Sequence, residues 1–216
     1  MDELSPWVRP PKQRRSRESL ERVVDAAMEL MARSGRDEFT LAELSRAANV
    51  SIGSIYGRLD GKEDLLRLVQ ARLSSIMCAE RDATAAQLAA CETLPEAVRV
   101  LVRGLAESLR NHRGVLAAIM LRAMQDPEMA RHGKAEFADT LEALTMPLRR
   151  FARQIPHPDP ARALSTSFEL MFASLARNLG LGTLQEMDDA GDWDQLLADL
   201  AHMMVGYVTL RPTDPN

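Results

Sequence analysis

Residues 40–66, TLAELSRAANVSIGSIYGRLDGKEDLL, constrain the fold more than any other stretch of the chain. Thr40 is a good N-cap, and Glu43 three residues on completes a capping box, so a helix begins at 41. Leu41, Leu44, Ala47 and Ala48 recur at helical spacing and give that helix one buried face. Asn49 then breaks it, because asparagine tolerates the left-handed backbone that a sharp turn between helices needs. Val50 plugs the gap between the helices and Ser51 caps the second, which is expected to point Ile52 and Ile55 inward. The opposite face shows Gly53, Ser54, Tyr56 and Arg58, small or hydrogen-bonding groups with no reason to be buried. This is the layout of a helix-turn-helix, whose second helix enters the DNA major groove.

The stretch also resembles the DNA-binding module of the TetR family of bacterial transcriptional repressors. The resemblance rests on Phe39-Thr40-Leu41-Ala42-Glu43-Leu44, Ala48-Asn49-Val50-Ser51, Ile55-Tyr56 and Gly61-Lys62-Glu63-Asp64-Leu65-Leu66. The family usually has Tyr-x-x-Phe where this chain has Tyr56-Gly57-Arg58-Leu59, and Gly where this chain has Asn49. The resemblance implies that Thr40, Tyr56 and Lys62 meet phosphates. The chemistry agrees: a cap hydroxyl, a phenol and an ammonium at a helix N-terminus can each meet an anionic oxygen. Ser51, Gly53 and Ser54 open the recognition helix where base edges are reached, and Arg58 suits phosphate or guanine. The resemblance further implies a second, larger helical body that binds a ligand and dimerises.

Of 216 residues, 46% are hydrophobic and 27% charged, which is ordinary for a globular chain, while aromatics are scarce at 4%. That balance, rich in Ala, Leu and Met, favours helix over sheet. The net charge is −4, so the chain taken whole is no basic nucleic-acid binder. Between residues 9 and 62, however, 11 Lys and Arg face 8 Asp and Glu, a local basic surplus. Residues 1–16, with Pro6, Pro10, Pro11 and a run of cations, read as a disordered basic arm. It serves either solubility or contact with phosphates and the minor groove. Cys78 and Cys91 form no CxxC pair, which suits a reduced, cytoplasmic chain. No apolar run approaches the roughly 20 residues that span a bilayer, so no membrane partner is expected.

Hydrophobic periodicity marks the remaining helices. One runs from residue 16 or 17 to 34, stopped by Gly35. A long one over 62–90 would span roughly 40 Å and leave the DNA-binding domain for the second. Further helices are expected over 95–111, 114–125 and 126–154, the last kinked at Pro147. Two more fall at 160–179 and 192–210. The organisation expected is all-α: an arm (1–16), a three-helix DNA-binding domain with its helix-turn-helix (17–63), and a helical effector-binding and dimerisation domain (64–216). The last two helices carry apolar residues on more than one face. This suggests a homodimer through a four-helix bundle, with Leu170, Leu197, Leu200, Met204 and Val208 at the seam. An apolar effector pocket among the middle helices would draw on Met120, Met124, Phe137, Leu141, Phe168, Met171, Phe172 and Leu175, with Arg122, Gln125 or Asn178 as polar anchors. The methionines would make it adaptable.

No Gly-rich phosphate loop or Gly-x-Ser-x-Gly elbow occurs, and no cofactor is expected. Glu128, His132 and Glu136, at i, i+4 and i+8, read as a solvated helix surface rather than a metal face. The expectation is therefore a homodimeric regulator, a repressor released from a palindromic double-stranded DNA operator by a small hydrophobic effector. The alternative is a helical enzyme or scaffold in which the helix-turn-helix is only structural. An exposed face of Ser54, Tyr56 and Arg58 separates the two.

Overall fold

The computed structural model describes residues 14–181 and 192–211, which form nine α-helices and one 3₁₀ helix and contain no strand. The chain divides into two compact units, one of residues up to 76 together with 112–131, the other of 77–111 together with 132 onward.

The first unit begins with α1 (Arg14–Ser34), which starts before the expected residue 16 or 17; the rest of the expected arm lies outside the described residues. Val23, Val24, Ala26, Ala27 and Met31 are buried along it, and Gly35 ends it with φ +65°. Beyond α1 come α2 (Leu41–Ala48), α3 (Ile52–Tyr56) and the start of α4 (Lys62–Ala90). Leu44, Ala48, Val50, Ile55, Leu59, Leu65, Leu66 and Val69 bury against this frame. After α5 (Leu94–Asn111), which belongs to the other unit, the chain returns as α6 (Arg113–Ala123) and the first residues of α7 (Pro127–Thr145).

α6 packs on α1 at very short range. A Cβ at Gly114 would sit 2.8 Å from the carbonyl carbon and Cα of Ala32, so no larger residue fits without moving a backbone. Polar bridges tie the start of α4 to this returning segment. Arg67 reaches Asp126 at 3.2 Å and Glu128 at 3.6 Å, Arg122 reaches Glu63 at 2.7 Å, and the buried Gln70 amide donates to the Met129 carbonyl. The compact unit that holds α1–α3 thus extends past residue 63 and takes in 112–131.

The second unit is centred on α5. Leu94, Ala97, Val98, Leu101, Val102, Leu105, Ala106 and Leu109 are all buried, against α8 (Pro160–Asn178), α9 (Trp193–Thr209) and the 3₁₀ helix Met146–Gln154. The expected kinked helix to 154 is corrected: the α-helical part stops at Thr145 and Pro147 sits in the first turn of the 3₁₀ helix. Proline lacks the N–H for an i−4 bond, but at a helix start that donor has no partner to lose. From this 3₁₀ helix Arg150 donates to the carbonyls of Leu88, Ala89 and Cys91, satisfying the C-terminal end of α4.

Candidate nucleic-acid interface

The two short helices are held by local hydrogen bonds. The Thr40 hydroxyl accepts from the Glu43 N–H at 3.1 Å, and the Glu43 carboxylate accepts from the Thr40 N–H at 2.7 Å. The Thr40 hydroxyl also donates to that carboxylate at 2.8 Å. These bonds, led by the one from the Thr40 backbone, hold the Glu43 carboxyl below its ordinary range. Asn49 takes φ 51° and ψ 47°, the left-handed turn its chemistry allows, and its N–H closes on Arg46 and Ser45. Ser45 donates to the Val50 carbonyl at 2.7 Å, and Arg22 from α1 reaches the Ala48 carbonyl at 3.4 Å. The turn is therefore fixed from both sides.

Ser51 caps α3, accepting from the Ser54 N–H, and the two hydroxyls bond each other at 2.9 Å. Ile55 is 4% exposed and anchors the helix in the core. Ser51, Gly53, Ser54 and Tyr56 are exposed, and Arg58 is half-buried just beyond. The expectation that Ile52 points inward is corrected: it is 41% exposed. One helical turn offers a single inward position, and Ile55 occupies it.

Lys62, the first residue of α4, is committed within the chain. Its ammonium meets the Asp37 carboxylate at 3.7 Å, donates to the Asp37 backbone carbonyl, and lies 4.8 Å from the centre of the Phe39 ring. Thr40, Ser51, Gly53, Ser54, Tyr56, Arg58 and Lys62 all belong to the first unit. Sequence reasoning missed Asp37 as the partner of Lys62. No periodicity reports a pairing across 25 residues.

The residues expected to hold an effector separate. Met120, Arg122 and Met124 belong to the first unit, where Arg122 pairs with Glu63 and Met124 is 76% exposed. Phe137, Leu141, Phe168, Met171, Phe172 and Leu175 belong to the second. There the Phe137 ring lies 5.9 Å from Phe168 and 4.8 Å from Phe172, an aromatic group, and Leu141 is half-buried. Most of the residues expected at the dimer seam are covered by their own chain. Leu197, Leu200, Met204 and Val208 are buried within their own unit, where α9 packs on α5 and α8. Of the five expected residues only Leu170 faces outward, at 66% exposure. The apolar residues left uncovered on α9 are Met203 (69%), Tyr207 (46%) and, at its C-cap, Leu210 (73%). Among the described residues no group of three or more metal-ligating side chains occurs, and no helix is long and apolar enough to cross a membrane.

Comparison with known proteins adds three findings. Residues 23–69 match the family model described as bacterial regulatory proteins, tetR family. An uncharacterized HTH-type transcriptional regulator, TtgW of Pseudomonas putida, is 34% identical over 56 residues, 26% of this chain. The chain spans 42% of the length of that relative. Among solved structures, a TetR-family transcriptional regulator from Mesorhizobium loti superposes with a TM-score of 0.68 at 18% identity, covering 91% of this chain and 96% of its own. Thermus thermophilus FadR, a TetR-family repressor solved with lauroyl-CoA, gives 0.59 at 24% identity, covering 91% and 98%. These two likenesses are of fold.

Proposed function

We propose that this chain, which belongs to the tetR family of bacterial regulatory proteins, is a sequence-specific DNA-binding repressor that works as a homodimer and is released by a small hydrophobic ligand. The observation that carries the reading is the outer face of α3. A helix of five residues is capped, turned and anchored by one buried isoleucine, and everything else on it is left to solvent. Such a face has no structural task in this chain, whereas a major groove accepts a helix of this kind. Residues 17–63 then read DNA, and 64–216 supply the effector and dimer functions. The partner is a palindromic double-stranded operator, met in the cytoplasm.

Dimerisation falls to the outward faces of α8 and α9, where Leu170, Met203, Tyr207 and Leu210 are exposed. The effector site falls to the Phe137, Phe168 and Phe172 group of the second unit. That the T. thermophilus repressor was solved with lauroyl-CoA supports an acyl-chain-like ligand. Binding of ligand and operator would oppose each other by one shared factor.

Lys62 provides the test. In the free chain Asp37 holds its ammonium beside the first turn of α4, the end of a helix that favours an anion. On DNA a phosphate takes the place of Asp37. Each neutralised phosphate adds about −0.9 to the slope of log affinity against log salt, so Lys62→Ala flattens that slope by roughly two units in a dimer. All sequences weaken alike, because a phosphate carries no base identity. Fluorescence anisotropy at several salt concentrations measures the slope. An unchanged slope together with altered base preference overturns this docking geometry.

A further inference from the structure

We infer that Ile52 reads the C5 methyl group of one thymine in each operator half-site. The inference rests on the reading of α3 as the recognition helix.

A lone exposed apolar side chain is ordinary on a protein surface. Ile52 differs in what surrounds it. It is the first residue of α3 and keeps 41% of its surface exposed, although a buried position exists one turn on and Ile55 fills it. The next residue is Gly53, and a Cβ placed there would find nothing within 4 Å. The backbone beside Ile52 is therefore bare and open, so a groove floor can come close. The polar side chains of this turn are partly spent. Ser51 is the N-cap, and its hydroxyl and that of Ser54 bond each other at 2.9 Å. Hydrogen-bonding readout from this turn is thereby reduced, and the large side chain it presents is a branched hydrocarbon.

The major groove offers such a group one partner. Guanine, cytosine and adenine present only donors and acceptors there, which lose hydrogen bonds to water beside a hydrocarbon. Thymine alone presents a methyl group. One isoleucine reaches one methyl, and Tyr56, 57% exposed with a phenol, suits the phosphate wall instead.

The experiment uses the full chain and a duplex selected by it from a random pool. Each thymine is then replaced singly by deoxyuracil, which differs only in lacking the methyl group. At one thymine per half-site the unaltered protein is expected to lose about fourfold in affinity, the effect of one buried methyl-sized group. Ile52→Ala, a change at an exposed site that leaves the core untouched, binds both duplexes more weakly and no longer distinguishes thymine from uracil there. Gly53→Ala, which meets no atom of its own chain, melts like the unaltered protein yet loses affinity for the selected duplex. If every thymine can be replaced without loss, or if the penalty persists in Ile52→Ala, the inference is overturned while sequence-specific binding stands. If no sequence is enriched from the pool, the repressor reading fails and takes the inference with it.

Discussion

Asp126 joins two helices of the first unit through one carboxylate. Its Oδ1 accepts the N–H groups of Glu128 at 2.9 Å and Met129 at 3.2 Å, which starts α7, and its Oδ2 accepts Arg67 of α4 at 3.2 Å. Burial alone would raise its pKa, but the Met129 and Glu128 N–H groups and the Arg67 guanidinium together outweigh burial and bring it below the ordinary 3.8. A carboxyl whose folded pKa lies below its unfolded value stabilises fully above the unfolded value. That contribution fades as pH falls through the folded one. Asp126→Asn should therefore lower stability at neutral pH and make the loss of stability on acidification, as pH falls through and below the ordinary carboxylate range, shallower. Urea unfolding at steps across that range reads both effects, and parallel curves for the two proteins would refute the assignment. Residues of this kind divide by how far their partners lie. The capping of α2 by Thr40 and Glu43 and the turn at Asn49 were legible because each is settled by near neighbours in the chain. The exposure of Ile52 was not, since periodicity over one helical turn cannot tell a core position from a rim position.

At the scale of elements, the contact between α1 and α6 depends on the absence of a side chain. Gly114→Ala drives a methyl group into the backbone of Ala32, in the last turn of a packed helix. The neighbour cannot yield as a flexible side chain would, so a loss of about 1–3 kcal/mol is expected. Thermal unfolding measures it, and an unchanged midpoint would show that α6 can shift freely along α1. The existence and approximate span of most helices were legible from periodicity alone. Which stripe of a helix meets its own chain was not. α9 has apolar residues on two faces, and both Leu200–Met204 and Met203–Tyr207 repeat at helical spacing. Packing on α5 and α8 selects the first pair for the interior, and that choice is made by residues far away in the sequence.

For the whole molecule, the same selection moves the surface through which two copies would meet. Leu170 and Met203, both more than half exposed, can each become glutamate without disturbing the interior of either unit. The double substitution places unpaired charges in the proposed seam. It should yield a helical monomer by sedimentation, with operator affinity lowered because the two reading helices are no longer joined. A dimer that survives the change would place the seam elsewhere. The internal make-up of the first unit has a different kind of consequence. Its helix-turn-helix packs on α1, and α1 rests on α6, a segment the chain reaches only after it has built α5 in the other unit. The first unit is thus not one continuous run of the chain. A hybrid regulator that joined only the codons for α1–α3 to a foreign body would leave α1 without its own α6. On the proposed reading of α3, its DNA specificity would have to be exchanged by substituting the outer face of that helix, or else by carrying α6 and its glycine along as a second, separate graft.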